Sequence, residues 1–257
     1  MNKLFLIALL VLIPLPAQAK VIGQTIEYKQ ADTALEGYLA YDDAIDGKRP
    51  GIIVVHDWMG ISDNVKARVD MLAQLGYVAF AVDIYGKDVR PKNTDEAMAQ
   101  VKLYKSDVTL MRARALAGLD VLKQNSLVDS ARLAAMGYCF GGTVSLEMAR
   151  AGANLLGVIS FHGGLSTPYP EDAKNIKAKV LVLHGADDPH VSSSEITAFQ
   201  KEMNDAGVDW QMVYYSGAVH AFTSKAAGDD NSKGAAYNAN ADRRSWEAMK
   251  QFFAEIF

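Results

Sequence analysis

The stretch Leu133-Ala134-Ala135-Met136-Gly137-Tyr138-Cys139-Phe140-Gly141-Gly142-Thr143 decides how this chain is read. Leu133 to Tyr138 is a short apolar run and predicts a buried strand, while apolar residues at helical spacing occupy Gly142 to Arg150. Between them lies Gly-x-Cys-x-Gly-Gly. A strand, a sharp glycine-flanked turn and a helix in direct succession form a nucleophile elbow, with cysteine where serine usually stands. The glycines have a steric purpose, because a side chain beside such a turn would strike the neighbouring strand or helix. A lone cysteine is more often a small core hydrophobe, but the coincidence of strand, turn and helix favours chemistry. A phosphate loop fits less well, since no Lys-Ser/Thr pair follows the glycines.

Working outward, further Val/Ile/Leu-rich runs predict strands at Gly51 to His56, Val78 to Ile84, Leu156 to Phe161, Val180 to His184 and Gln211 to Tyr215. Helical periodicity covers Val65 to Leu75, Thr94 to Gln124, Ser194 to Ala206 and Arg243 to Phe257. This alternation predicts an α/β fold with a mostly parallel central sheet and helices on both faces. Ahead of it, Thr25 to Tyr28 and Ala34 to Tyr41 read as an antiparallel hairpin. Ser224 to Asp242 is polar, and long for a connection between core elements. It either borders a site or merely ties the last helix to the body.

A thiol nucleophile needs a base and an orienting acid, and in the α/β-hydrolase fold these follow the nucleophile in the order acid, then histidine. Asp187-Asp188-Pro189 follows the predicted strand ending at His184, and His220-Ala221-Phe222 follows the one ending at Tyr215. Cys139, Asp188 and His220 therefore arrive in order at the sheet edge where open α/β folds build their sites. All five histidines lie at or beside strand ends, so chain order selects His220. His56, His162, His184 and His190 read as satisfied structural groups, with His56 and His162 the best placed to reach a pocket. No His-x-x-x-His or His-Glu-x-x-His spacing occurs, so neither metal nor cofactor is expected.

Residues 1–19 have the layout of a secretory signal: Lys3, an apolar run from Leu4 to Leu15, and Ala17-Gln18-Ala19 before the expected cut. A membrane span would need about 20 apolar residues, and this run is shorter and broken by Pro14. One domain is expected over residues 20–257, exported to a periplasm or secreted, with no stable membrane insertion after cleavage. Half the residues are apolar, so a sizeable core is available, and the single cysteine cannot form an internal disulfide. The formal net charge of −4, without a Lys/Arg cluster, argues against a nucleic-acid partner.

Four motifs resemble the dienelactone hydrolase family: Val55-His56-Asp57-Trp58-Met59-Gly60, Asp83-Ile84-Tyr85-Gly86, the cysteine elbow, and Asp187-Asp188-Pro189 with His220-Ala221-Phe222. The likeness spans essentially the whole mature chain, and the elbow is its specific part. It implies triad roles for Cys139, Asp188 and His220, an oxyanion hole from the Trp58 and Phe140 N–H groups, and a pocket or thiol gate among Asp57, Tyr85, His56 and His162. Asp57 stands where the best-known members carry a glutamate that contacts the resting thiol. It would either do the same or cap the following turn. Ser224 stands where some members carry a substrate-binding arginine, which implies a different substrate. The expected activity is hydrolysis of a small ester or lactone through an acyl-enzyme, by a monomer or small homo-oligomer. The alternatives are a thioesterase or aryl esterase, a peroxide-sensitive thiol protein, and a non-catalytic binding module.

Overall fold

The computed structural model describes residues 20–257; the predicted signal segment lies outside the described residues. A single eight-stranded sheet runs in the order β1-β2-β4-β3-β5-β6-β7-β8. Its strands are β1 (Val21–Gln30), β2 (Thr33–Asp42), β3 (Arg49–Val55), β4 (Val78–Val82), β5 (Val128–Tyr138), β6 (Gly157–Phe161), β7 (Lys179–Gly185) and β8 (Trp210–Tyr215). β1 and β2 are antiparallel, β2 meets β4 antiparallel, and everything from β4 across to β8 is parallel. The opening hairpin and the parallel strands are those the sequence predicts, apart from end points.

Among the described residues, six α-helices cover the sheet: α1 (Asp63–Gln74), α2 (Thr94–Ser106), α3 (Val108–Gln124), α4 (Phe140–Arg150), α5 (Ser193–Asp205) and α6 (Ala239–Ile256). Successive side chains of a strand point to opposite faces. Ile53, Val55, Phe80 and Val82 accordingly join one core with α3, α4 and α5, while Ile52, Val54, Ala79 and Ala81 join the other with α1 and α6. Burial on both faces is why the central strands are unbroken apolar runs rather than alternating ones.

Two boundaries correct the sequence reading. The predicted helix Thr94–Gln124 is two helices, because Asp107 leaves helical geometry and its side chain accepts the Leu110 N–H at 2.9 Å, capping α3. Apolar periodicity resumes beyond Asp107 and conceals the break. β5 begins at Val128, not Leu133: Arg49 pairs with Val128 and Gly51 with Leu133, so the register shifts at Pro50/Gly51. The stretch Asp129 to Arg132, polar but for Ala131, gives no strand signal.

Candidate active site

At the end of β5 the chain turns into α4 through Cys139, whose φ of 54° and ψ of −114° put a non-glycine residue at positive φ. Such a conformation costs about 1–3 kcal/mol and persists only where the surroundings enforce it. Here the Cys139 N–H donates to Phe161 O at 3.0 Å and to His162 Nδ1 at 3.2 Å, and the Cys139 carbonyl accepts Gly142 N–H at 3.0 Å. A Cβ on Gly137 would stand 2.1 Å from Gly141 O, and one on Gly141 would stand 2.2 Å from Val55 O. Glycine is what lets β5, α4 and β3 close around the turn.

His220 and Asp188 come to the same edge. Asp188, buried after β7, accepts the His190 N–H at 2.8 Å with Oδ1 and lies 2.8 Å from His220 Nδ1 with Oδ2. His220 Nε2 is 3.0 Å from Cys139 Sγ. The three predicted residues thus form one hydrogen-bonded chain. Asp187 is exposed and accepts the Gly217 N–H at 3.1 Å, shaping the turn. Burial works against a charged His220 ring, but hydrogen bonds to Asp188 and to the Cys139 sulfur outweigh it and raise the imidazole to about 10. The balance of these contacts favours the charged ring. Burial also opposes the Asp188 charge, and the His220 hydrogen bond overrides it, holding the carboxyl below its ordinary range.

Neither the Trp58 nor the Phe140 N–H donates to an acceptor among the described residues. Tyr85 braces this loop: its hydroxyl donates to Trp58 O at 3.0 Å, and its ring stacks on Tyr104. Asp83, fully buried, holds the next loop by accepting the Tyr85 and Gly86 N–H groups, each at 3.0 Å. Asp57 Oδ1 accepts the Met59 N–H at 2.8 Å, a turn cap, and the thiol bonds to His220 instead. Burial pushes the Asp57 carboxyl above its usual range.

His56 and His162, read as the histidines best placed to reach a pocket, are both buried. The His56 ring is fully buried, with Nδ1 2.6 Å from Asp57 O and Nε2 accepting the Ile84 N–H at 3.1 Å. His162 is 2% exposed, and both its ring nitrogens are engaged, at Cys139 N and at Thr223 Oγ1. His184, read as a satisfied group, is buried with Nδ1 unpartnered. Thr223 escaped the sequence reading altogether, because a hydroxyl partner 61 residues away from His162 leaves no local signal.

The polar segment after His220 packs directly on the base loop. His220 N–H donates to Gly234 O at 3.2 Å, and His220 O accepts the Ala236 N–H at 3.0 Å. Asn231 and Asn238 side chains each donate to Gly217 O at 3.0 Å. Its length serves the site. A cavity of about 270 Å³ opens nearby, with Thr143, Met111, Lys105 and Pro168 on its walls, but its walls do not include Cys139. No group of three or more His, Cys, Asp or Glu side chains is placed to hold a metal among the described residues.

The sequence pattern of the dienelactone hydrolase family matches residues 35–257. The chain belongs to that family. Among solved structures it is similar to one named m3DLH, at 39% identity and a TM-score of 0.89 over 92% of this chain and 99% of that one. It is also similar to a dienelactone hydrolase-like promiscuous phosphotriesterase from metagenomic libraries, at 38% identity and a TM-score of 0.87 over the same shares. Protein usf of Aquifex pyrophilus is 27% identical over 237 residues, 91% of this chain and 99% of that protein. As a dienelactone hydrolase-like protein, the chain is a hydrolase of the carboxylic ester and lactone class. No helix among the described residues is long and apolar enough to cross a membrane.

Proposed function

We propose that this protein is an exported hydrolase of small esters or lactones, acting through a Cys139–His220–Asp188 triad and a Cys139 acyl-enzyme. The observation that carries this reading is the continuous contact from Asp188 Oδ2 through His220 to Cys139 Sγ, at 2.8 and 3.0 Å. An imidazolium at that distance favours the thiolate, the nucleophilic form of cysteine. The thiolate attacks the acyl carbon, and the carbonyl oxygen takes up charge between the free N–H groups of Trp58 and Phe140. When the adduct collapses, His220 gives its proton to the departing oxygen and becomes neutral. Water then attacks the thioester with His220 as base, releasing the acid and restoring the ion pair. For a lactone, the acid and its leaving oxygen stay in one molecule.

Thiolate leaves more readily than a poor alkoxide, so the first adduct reverts unless the leaving group is activated. Enol lactones, aryl esters and thioesters meet that demand, and amides do not. A second reading, turnover of activated phosphotriesters by the same cysteine, is favoured by the 38% identity to the promiscuous phosphotriesterase. Export rests on the layout of residues 1–19, read from sequence.

The test is hydrolysis of a short-chain aryl ester by mature protein beside Cys139→Ala, with intact-mass analysis after rapid quenching. Turnover by the native protein alone, with an acyl adduct on residue 139, supports the triad. Equal rates, or an adduct elsewhere, overturn it.

A further inference from the structure

His162 takes no part in that chemistry, yet it touches both loops that carry it. Its own N–H donates to Leu183 O at 2.8 Å, fixing its backbone against β7, and its φ is 40°. The ring is buried, and its Nδ1 faces the Cys139 N–H at 3.2 Å. An amide N–H can only donate, so Nδ1 carries no proton. A neutral ring then holds its proton on Nε2, which lies 2.8 Å from Thr223 Oγ1 and donates to it. Thr223 is 3% exposed and lies on the base loop just beyond His220. Its carbonyl accepts Arg68 Nη2 at 3.0 Å, and the same nitrogen meets Asp242 Oδ1 at 2.6 Å. One imidazole therefore spans from the nucleophile's amide to a loop that is itself tied back to α1 and α6.

We propose that His162 is a positioning residue whose neutral Nε2–H tautomer bridges the Cys139 amide to Thr223 and so sets the 3.0 Å approach of Cys139 Sγ to His220 Nε2. The inference rests on the cysteine triad proposed above. Protonation of the ring would turn N–H against N–H at Cys139 and open the bridge. The groups facing the ring oppose that step: His220 at 5.4 Å between centroids, His184 from β7, and the Arg68 guanidinium from α1, while Asp242 is spent on Arg68. Burial first, and then His220, hold the imidazole well below its ordinary range.

The experiment compares kcat and KM on an aryl ester, together with the ultraviolet absorbance of the thiolate against pH. The proteins are native, His162→Asn, Thr223→Val, the double variant and Cys139→Ala. Asparagine tolerates positive φ and offers Oδ1 where Nδ1 stood, so it keeps the Cys139 half of the bridge and loses the Thr223 half. Thr223→Val conserves shape and the carbonyl that holds Arg68. Each single variant is expected to lower kcat about tenfold with KM within about twofold, since small misplacements of reacting groups cost rate rather than binding. The thiolate titration should broaden or shift in both. The double variant should be no worse than either single one, because both remove the same bond.

Singles that keep native kcat, or losses that multiply in the double variant, overturn the bridge. So does a loss that simply follows a lowered unfolding midpoint with an unchanged thiolate titration. Cys139→Ala separates the two readings. If it is active, the cysteine triad fails and the bridge with it; if it is dead while the other variants behave as native, only the bridge fails.

Discussion

Two loops meet at the contact between Cys139 and His220, and they are held in different ways. Residues 137–142 are fixed by exclusion: a Cβ at Gly137 or Gly141 would sit 2.1 or 2.2 Å from backbone oxygen, so the turn has essentially one shape available. Residues 217–223 are fixed by attachment: Gly234 and Ala236 bind the His220 backbone, Asn231 and Asn238 bind Gly217, and His162 binds Thr223. A turn fixed by exclusion tolerates no added atom. A loop fixed by attachment can lose one of its two ties at Gly217 and keep the other. Under the proposed mechanism, the first arrangement suits a strained nucleophile, and the second suits a base that must exchange protons without losing its place.

The comparison is broken most severely at the sulfur itself. Cys139→Ala should lower kcat/KM on an aryl ester by about 10⁴-fold or more, the scale seen when a triad member is removed elsewhere. Its fold should be unchanged, as read by circular dichroism. Next in size, Gly141→Ala drives a methyl group into Val55 O. Neither β3 nor α4 can yield cheaply, so we expect about 3 kcal/mol or more of lost stability in urea unfolding. A Gly141→Ala protein of native stability would mean that the elbow is not held by exclusion.

The difference between the loops also explains what could be read from the sequence. Exclusion is local and leaves glycines at fixed offsets from Cys139, so the elbow, the strand before it and the helix after it were legible. So were the parallel strands, because burial on both faces makes them continuous apolar runs. The order Cys139, Asp188, His220 was legible because each follows a strand end. Attachment is distant in sequence: nothing near Thr223 points to His162, and nothing in Ser224 to Asp242 distinguishes a tie from a tether. The burial of His56 and His162 was hidden for the same reason, since it depends on acceptors and donors that other loops bring.

A smaller effect follows from the His220 proton. Its folded value, about 10, lies above the ordinary histidine value of 6.5. A raised value means that the native state binds the proton more tightly than the unfolded chain does. The stabilisation is therefore complete below pH 6.5 and is lost as pH rises from there through about 10. Its size should be a few kcal/mol, about 1.4 for each pH unit of that window. Unfolding in urea at a series of pH values, with His220→Gln alongside, should show the native protein losing its advantage across that window. Part of the rise comes from the Cys139 sulfur, so in a Cys139→Ala background the loss should be smaller and should end at lower pH. A difference between native and His220→Gln that stays flat from neutral to alkaline pH would show that the ring is not an imidazolium.

The smallest effect separates the loops most cleanly. Asn238 caps α6 by accepting the Ala241 N–H at 3.1 Å, while its amide nitrogen donates to Gly217 O. Asn231 makes only the second kind of contact in the described structure, at 3.0 Å to the same oxygen. Asn231→Ala removes one of two donors to Gly217 and leaves the helix cap intact. A single exposed hydrogen bond contributes about 0.5–1 kcal/mol. If attachment is shared among several ties, unfolding in urea should register that small loss and kcat should fall no more than about threefold. Asn238→Asp keeps the capping oxygen but not the donor, so it should match Asn231→Ala in both readouts. A tenfold loss of kcat from either change would show that the base loop hangs on Gly217 alone and, like the elbow, has no spare support.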